Sequence, residues 1–262
     1  MSNYQNYGNE WINVPDERME QRIKGRLQER RIKKRKALAV YFAFCSSIVI
    51  IILVALAVGL DLFSNSEANA TPTLTEEETE SQIVETYVYL EQPKWEEDFL
   101  TPNEYSRPQT QIEEVNGVVV HYVGNPKTTA KQNRDYFEDL ATTHETSASS
   151  HFVVGLEGEI IQCMPLNEVA YASRHRNADT ISIEVCHPTE DGKFNEETYD
   201  AVIELVAWLM VEYDLTIDEV IRHYDVTGKE CPKYFVEHES AWDDFKMDIQ
   251  TFIDKNSEII TK

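Results

Sequence analysis

The chain has 262 residues, of which 47 are acidic and 24 basic, for a formal net charge of −23. That is the wrong sign for a nucleic-acid-binding protein. The length allows one or two domains. The charge is uneven, because residues 1–36 hold ten lysines and arginines against five acidic residues. The rest therefore reads as a soluble, self-repelling acidic domain behind a basic tail.

Residues 37–60 (ALAVYFAFCSSIVIIILVALAVGL) run for 24 positions without a charge, against the roughly 20 a helix needs to cross a bilayer. A core helix is rarely apolar on every side for so long. Arg30, Arg31, Lys33, Lys34, Arg35 and Lys36 immediately precede the run. The positive-inside rule places that cluster in the cytoplasm and everything after Leu60 outside. The expectation is a single-pass protein of the cell membrane, with the cytoplasmic tail 1–36 lying against anionic headgroups. Ala68-Asn69-Ala70 has the look of a signal-peptide cleavage site. The apolar run and the segment before it are both long for a signal peptide, so a retained transmembrane helix is the preferred reading.

From 61 to 109 the chain is rich in Glu, Thr, Ser, Asn and Pro, with acidic clusters at Glu76-Glu77-Glu78 and Glu96-Glu97-Asp98. This composition buries little apolar surface and predicts an acidic flexible stalk. Only 83–90 (IVETYVYL) suggests a short strand or helix. The folded domain is expected over 110–255, with a C-terminal tail at 256–262. A domain of about 140 residues suffices for one packed core.

Within that domain, 117–123 (GVVVHYV) is β-branched and aromatic and predicts a strand. Residues 128–140 predict a helix with Tyr136, Phe137 and Leu140 on one face. Two short strands, 151–155 and 159–164, flank Leu156-Glu157-Gly158, a hairpin signal. Residues 180–186 (TISIEVC) predict another strand. Asn195 is placed to N-cap a helix reaching Tyr213, with Tyr199, Val202, Ile203, Val206, Met210 and Tyr213 on its buried stripe. A shorter helix is expected over 217–221, and Trp242, Phe245, Ile249 and Phe252 mark a last amphipathic helix. Interspersed strands and helices predict an α/β fold with a mixed central sheet flanked by helices.

The chemistry concentrates in 222–232, RHYDVTGKECP, where His223 and Cys231 stand eight positions apart with Lys229 between them. Asp225, Thr227, Gly228 and Pro232 make the segment read as a shaped loop. Imidazole nitrogen and thiolate sulfur are both preferred zinc ligands. A surface histidine with a buried structural cysteine is the plainer reading of that pair alone. A catalytic zinc usually takes three protein ligands, and His121, held rigidly in the first strand of the domain, supplies a third. Among the other histidines, His144 falls in a polar loop, and His187 and His238 have turn-like or charged neighbours that suggest exposure. Alternation in 181–186 puts Ser182, Glu184 and Cys186 on one face and Ile181, Ile183 and Val185 on the other. A carboxylate on a central strand must be paired, bound to metal or used chemically, and a zinc hydrolase needs a base. On an edge strand Glu184 would simply face water.

Four segments, in order VVVHYVGNP (118–126), SASSHFVVGLEGEIIQCMP (147–165), ISIEVCHP (181–188) and RHYDVTGKECP (222–232), resemble the type 2 N-acetylmuramoyl-L-alanine amidases. Phage lysozyme-like amidases and peptidoglycan recognition proteins share that fold. The resemblance covers nearly all of the expected domain and says nothing of 1–109. It implies that His121, His223 and Cys231 bind zinc and that Glu184 and Lys229 are catalytic. Peptidoglycan is the implied partner and substrate. Glu184 would accept a proton as water attacks the amide between the lactyl group of N-acetylmuramic acid and L-alanine, and Lys229 would stabilise the oxyanion. The alternative is a non-catalytic peptidoglycan-binding receptor on the same fold. Such receptors typically lack the metal-binding cysteine, whereas Cys231 is present beside Lys229. One branch of the family has Tyr where Ser150 stands, so that role does not carry over. At Tyr171-Ala172-Ser173-Arg174-His175 relatives often have an aromatic-His pair directly after the Ala, and His175 is displaced from that position. Cys163 and Cys186, both on predicted strands, either pair or remain free thiols.

Overall fold

The computed structural model describes residues 4–7, 10–13 and 86–261. Contacts divide the chain into two units, 1–81 and 82–262. In the first, Tyr4–Tyr7 (β1) pairs antiparallel with Glu10–Asn13 (β2). The expected transmembrane helix 37–60 and residues 61–85 lie outside the described residues. Among the described residues no helix is long and apolar enough to cross a membrane.

The second unit starts earlier than expected. Thr86–Tyr89 (β3) and Glu96–Glu97 (β4) are strands, and Leu90 and Leu100 are buried. The last part of the expected stalk is therefore folded. Each buried leucine contributes about 2 kcal/mol, enough to offset the ordering of one or two backbone residues. Arg134 reinforces the docking by donating to the carbonyls of Asp98 and Phe99 at 3.0 and 2.8 Å. Acidic composition alone hides these anchors.

Val118–Val120 (β5) is followed by the helix Ala130–Thr143 (α1). Thr129 caps α1 in a reciprocal box with Gln132. Phe152–Val154 (β6) and Ile160–Gln162 (β7) form the expected antiparallel hairpin. Gly158 serves its turn at φ 78°, where a side chain would also meet the Glu197 carbonyl at 2.9 Å. A 3-10 turn, Arg174–Ala178, leads into Ile181–Val185 (β8). The helix Glu196–Tyr213 (α2) has Asn195 at its N-cap position, but the Asn195 amide does not cap. It donates instead to the Leu156 carbonyl at 2.8 Å, tying the helix to the hairpin.

The expected helix over 217–221 is a 3-10 turn, Ile217–Glu219, running into a strand, Val220–Arg222 (β9). Thr216 and Glu219 close the turn as a capping box, and Val220 pairs with Val118 in the sheet. The expected loop after Arg222 begins as a short helix, His223–Thr227 (α3). Lys233–Glu237 (α4) and Glu239–Asn256 (α5) follow, and α5 buries Trp242, Phe245 and Ile249 at i, i+3 and i+7. Glu258–Thr261 (β10) pairs antiparallel with β3, so the expected C-terminal tail is a strand.

The central sheet has strand order β4-β7-β6-β8-β5-β9. Only the β6–β7 pair is antiparallel, so the α/β class with a mixed sheet is as expected. Ile181, Ile183 and Val185 of β8 pack with Val202, Leu205 and Leu209 of α2 and with Phe245 and Ile249 of α5. Val153 and Ile161 face the other way, onto Ala130 and Phe137 of α1. The chemistry-bearing residues of β8 and of the β5 terminus share the α1 face.

Candidate metal centre and active site

The row of site residues follows from strand register. Val120 pairs with Ile183 of β8 and with Arg222 of β9, all parallel. The next positions along the three strands are Glu184, His121 and His223. Neighbouring strands lie about 4.8 Å apart and in-register side chains point the same way. Three separated segments thus place these residues side by side at the carboxyl ends of parallel strands, where α/β sheets bind ligands. The His121 and His223 ring centroids are 4.7 Å apart.

Cys231 arrives by the return of the chain after α3. Gly228, at φ 76°, ends that helix, and the Tyr224 N–H donates to the Cys231 carbonyl at 2.9 Å. The Cys231 Sγ lies 3.8 Å from His121 Nδ1. One ligand atom each of His121, His223 and Cys231 all lie within 4.8 Å of one another, forming a group able to hold a metal ion. The Glu184 carboxylate is 3.8 Å from His121 Nδ1. Two buried atoms there lack a hydrogen-bond partner, His223 Nδ1 and Glu184 Oε2. Buried polar atoms are seldom left so, and both orphans sit where a cation and its water would satisfy them.

The electrostatics fit the same use. Burial holds both imidazoles neutral, with His223 lowered to about 4 by desolvation and then by Lys229 and Arg174. Neutral imidazole is the ligating form. Burial pushes the Cys231 thiol up to about 12, a preference that a bound cation reverses. Burial also raises the Glu184 carboxyl to about 8, with Lys229 pulling the other way. Lys229 is exposed and lines a cleft of about 970 Å³ with His223, Thr227 and Gly228.

Three supporting residues escaped the sequence reading. Ser173 Oγ lies 3.1 Å from His121 Nε2, which leaves Nδ1 facing Cys231 and Glu184. The Asn177 side chain accepts from the Ala172 and Ser173 N–H groups and fixes that turn. Arg222, buried directly before His223, donates to both Asp225 oxygens, to Glu239 and to the Phe235 carbonyl. The signal for Arg222 was its place in the quoted RHYD motif. Ser173 carried none, since its partner is 52 residues away.

The other candidates fall elsewhere. His144 and His238 are exposed, as expected. His187 is not. It is 1% exposed, with its ring nitrogens 2.6 and 2.7 Å from the Val123 and Thr189 carbonyls. Turn-like neighbours in sequence did not reveal that the loop folds over it. His175 is exposed on the 3-10 turn, and Ser150 donates to the Phe152 carbonyl at 2.8 Å. Cys163 and Cys186 are free thiols. They follow β7 and β8, which are separated by β6. Two strand spacings, about 9.6 Å, exceed the span of a disulfide.

Fold and site together define the class, an α/β domain presenting a buried His-His-Cys group beside a partly buried carboxylate. Residues 111–234, just under half of the chain, match the family described as N-acetylmuramoyl-L-alanine amidase. N-acetylmuramoyl-L-alanine amidase CwlL of Bacillus licheniformis is 33% identical over 170 residues, covering 60% of this chain and 46% of the relative. BlyA of Bacillus subtilis, also named an N-acetylmuramoyl-L-alanine amidase, is 32% identical over 169 residues, covering 56% and 44%. This chain therefore spans less than half the length of these relatives. The solved catalytic domain of XlyA is 28% identical, with a TM-score of 0.51, and covers 60% of this chain and 99% of that domain. The expected resemblance is borne out for the domain.

Proposed function

We propose that this protein is a zinc-dependent N-acetylmuramoyl-L-alanine amidase that cleaves peptidoglycan and is anchored in the cell membrane by residues 37–60, with the amidase domain outside. The observation that carries the catalytic reading is the in-register row Glu184–His121–His223, completed by Cys231. The names of the relatives support the bond class. The charge-free run behind a basic cluster supports the anchor.

In this reading His121, His223 and Cys231 would hold the ion. A zinc ion there would supply Lewis acidity toward water and the amide carbonyl. Glu184, 3.8 Å from His121 Nδ1, is placed to accept the proton from the attacking water. Lys229 faces the developing negative charge on the amide oxygen, a contact worth roughly 3–4 kcal/mol in other hydrolases. Glu184 then hands its proton to the leaving amine of L-alanine. Ser173 keeps His121 in the ligating tautomer throughout.

The test is metal content of the purified protein together with release of L-alanine amino termini from peptidoglycan. One zinc per chain with new amino termini is expected. A metal-free protein that binds peptidoglycan without cleaving it would replace the proposal by the receptor reading.

A further inference from the structure

The folded unit contains five arginines, and four of them are paired with carboxylates: Arg107 with Glu168, Arg134 with Asp98, Arg176 with Asp179 and Arg222 with Asp225. Arg174 is the exception. Among the described residues its guanidinium has neither an ion pair nor a hydrogen bond, although acidic residues outnumber basic ones about two to one in this chain. It is exposed and lines the cleft with Tyr171, Asn177, His223 and Lys229.

The backbone at Arg174 is also unusual. Its φ of 52° lies in the left-handed region, which a residue with a Cβ seldom occupies. Such conformations persist where the surroundings fix them, and they cluster at ligand sites. Here the surroundings are those that hold His121. Asn177 binds the N–H groups of Ala172 and Ser173, and Ser173 binds His121. One turn thus positions a metal-ligand candidate and, at its next residue, an unpaired guanidinium at the cleft.

We propose that Arg174 is a specificity-determining residue that binds a carboxylate on the peptide side of the scissile amide. The assignment rests on the amidase reading. In a muramoyl-alanine amide the lactyl carboxyl is consumed in the bond to be cut and the sugars beside it are neutral. Negative charge near the reaction centre must then come from acidic residues of the attached peptide. A guanidinium matches a carboxylate with two parallel hydrogen bonds, which an ammonium group does not. Lys229 remains for the oxyanion.

The test uses the full-length protein and two soluble muramoyl peptides that differ only in carrying free carboxylates or carboxamides on the peptide. KM and kcat are measured for wild type, Arg174→Gly and Arg174→Lys, and binding of both peptides is measured by calorimetry in a Glu184→Gln background. Glycine adopts the left-handed backbone freely, so Arg174→Gly removes the guanidinium without strain. The wild type should favour the acidic peptide roughly tenfold to hundredfold, the worth of one charge-assisted hydrogen bond. That preference should lie in KM and shrink with salt. Arg174→Gly should bring the ratio close to one, and Arg174→Lys should keep part of it. An unchanged ratio in Arg174→Gly, or no preference in the wild type, overturns the assignment. If both peptides are cleaved equally, the assignment falls and the amidase reading stands. If the acidic peptide binds preferentially through Arg174 but no amide is cut, the reverse holds. If neither is bound nor cleaved, both fall.

Discussion

His151 offers a quantitative test of how the sheet beside the site is held. The Ser182 N–H donates to its Nδ1 at 3.0 Å, so the proton sits on Nε2 and faces the Glu168 carbonyl at 2.9 Å. The ring is fully buried, and desolvation lowers its pKa from 6.5 to about 4. A second proton would set Nδ1–H against the backbone N–H of β8. Between those two pH values the unfolded chain binds a proton that the folded chain refuses. Stability from this group is therefore complete above pH 6.5, falls as pH drops toward 4, and changes no further below. At about 1.4 kcal/mol per pH unit the interval amounts to about 3 kcal/mol. His151→Gln is the matching perturbation, because a carboxamide can accept from Ser182 and donate to Glu168 without titrating. Urea unfolding of both proteins, followed by tryptophan fluorescence in chelator at pH 7, 6, 5 and 4, gives the difference directly. Other carboxylates and histidines cancel between the two, and chelator removes metal release as a cause. Wild type should lose about 3 kcal/mol more than the variant over that range. Parallel stability profiles would refute the burial argument.

Glu184→Gln keeps shape but cannot take a proton. It should retain metal and peptidoglycan binding while losing roughly two or more orders of magnitude in turnover, read by zinc content beside amide hydrolysis. Near-normal turnover would remove Glu184 as the base, and loss of zinc would make it a ligand or its support. Replacing Cys231, His121 or His223 by Ala should lower zinc occupancy and activity together, as should chelation, with zinc restoring the wild type only. Lys229→Ala should keep zinc and lose about two to three orders of magnitude in kcat. Arg222→Lys loses the fork to Asp225 and Glu239. Because those carboxylates are 31% and 64% exposed, thermal unfolding should show a cost of only about 1–2 kcal/mol, with weaker zinc retention. Protease added to intact cells should remove the domain and leave a small membrane-bound fragment, whereas a mature protein in the medium cut near Ala70 would overturn the anchor.

The sequence by itself determined the local and the chemical. Alternation in 181–186 placed Glu184 opposite Ile183, and that is how β8 lies. The hairpin 151–164 and the apolar stripes of α2 and α5 were readable because a period of 2 or 3.6 is a property of neighbouring residues. The ligand types were readable because His and Cys in a Gly- and Pro-marked segment have few uses. What sequence misread was decided by partners far along the chain. Val220–Arg222 is a strand because β5 offers it an edge, and residues 86–100 fold because β7 and α1 take up Glu96–Glu97 and Leu100. His187 is held inside by the Val123 carbonyl, 64 residues away, and Ser173 matters only through a histidine on another strand. Glu184, His121 and His223 become one site through the register of three parallel strands. That register is set by packing both faces of the sheet at once, and no window of sequence contains it.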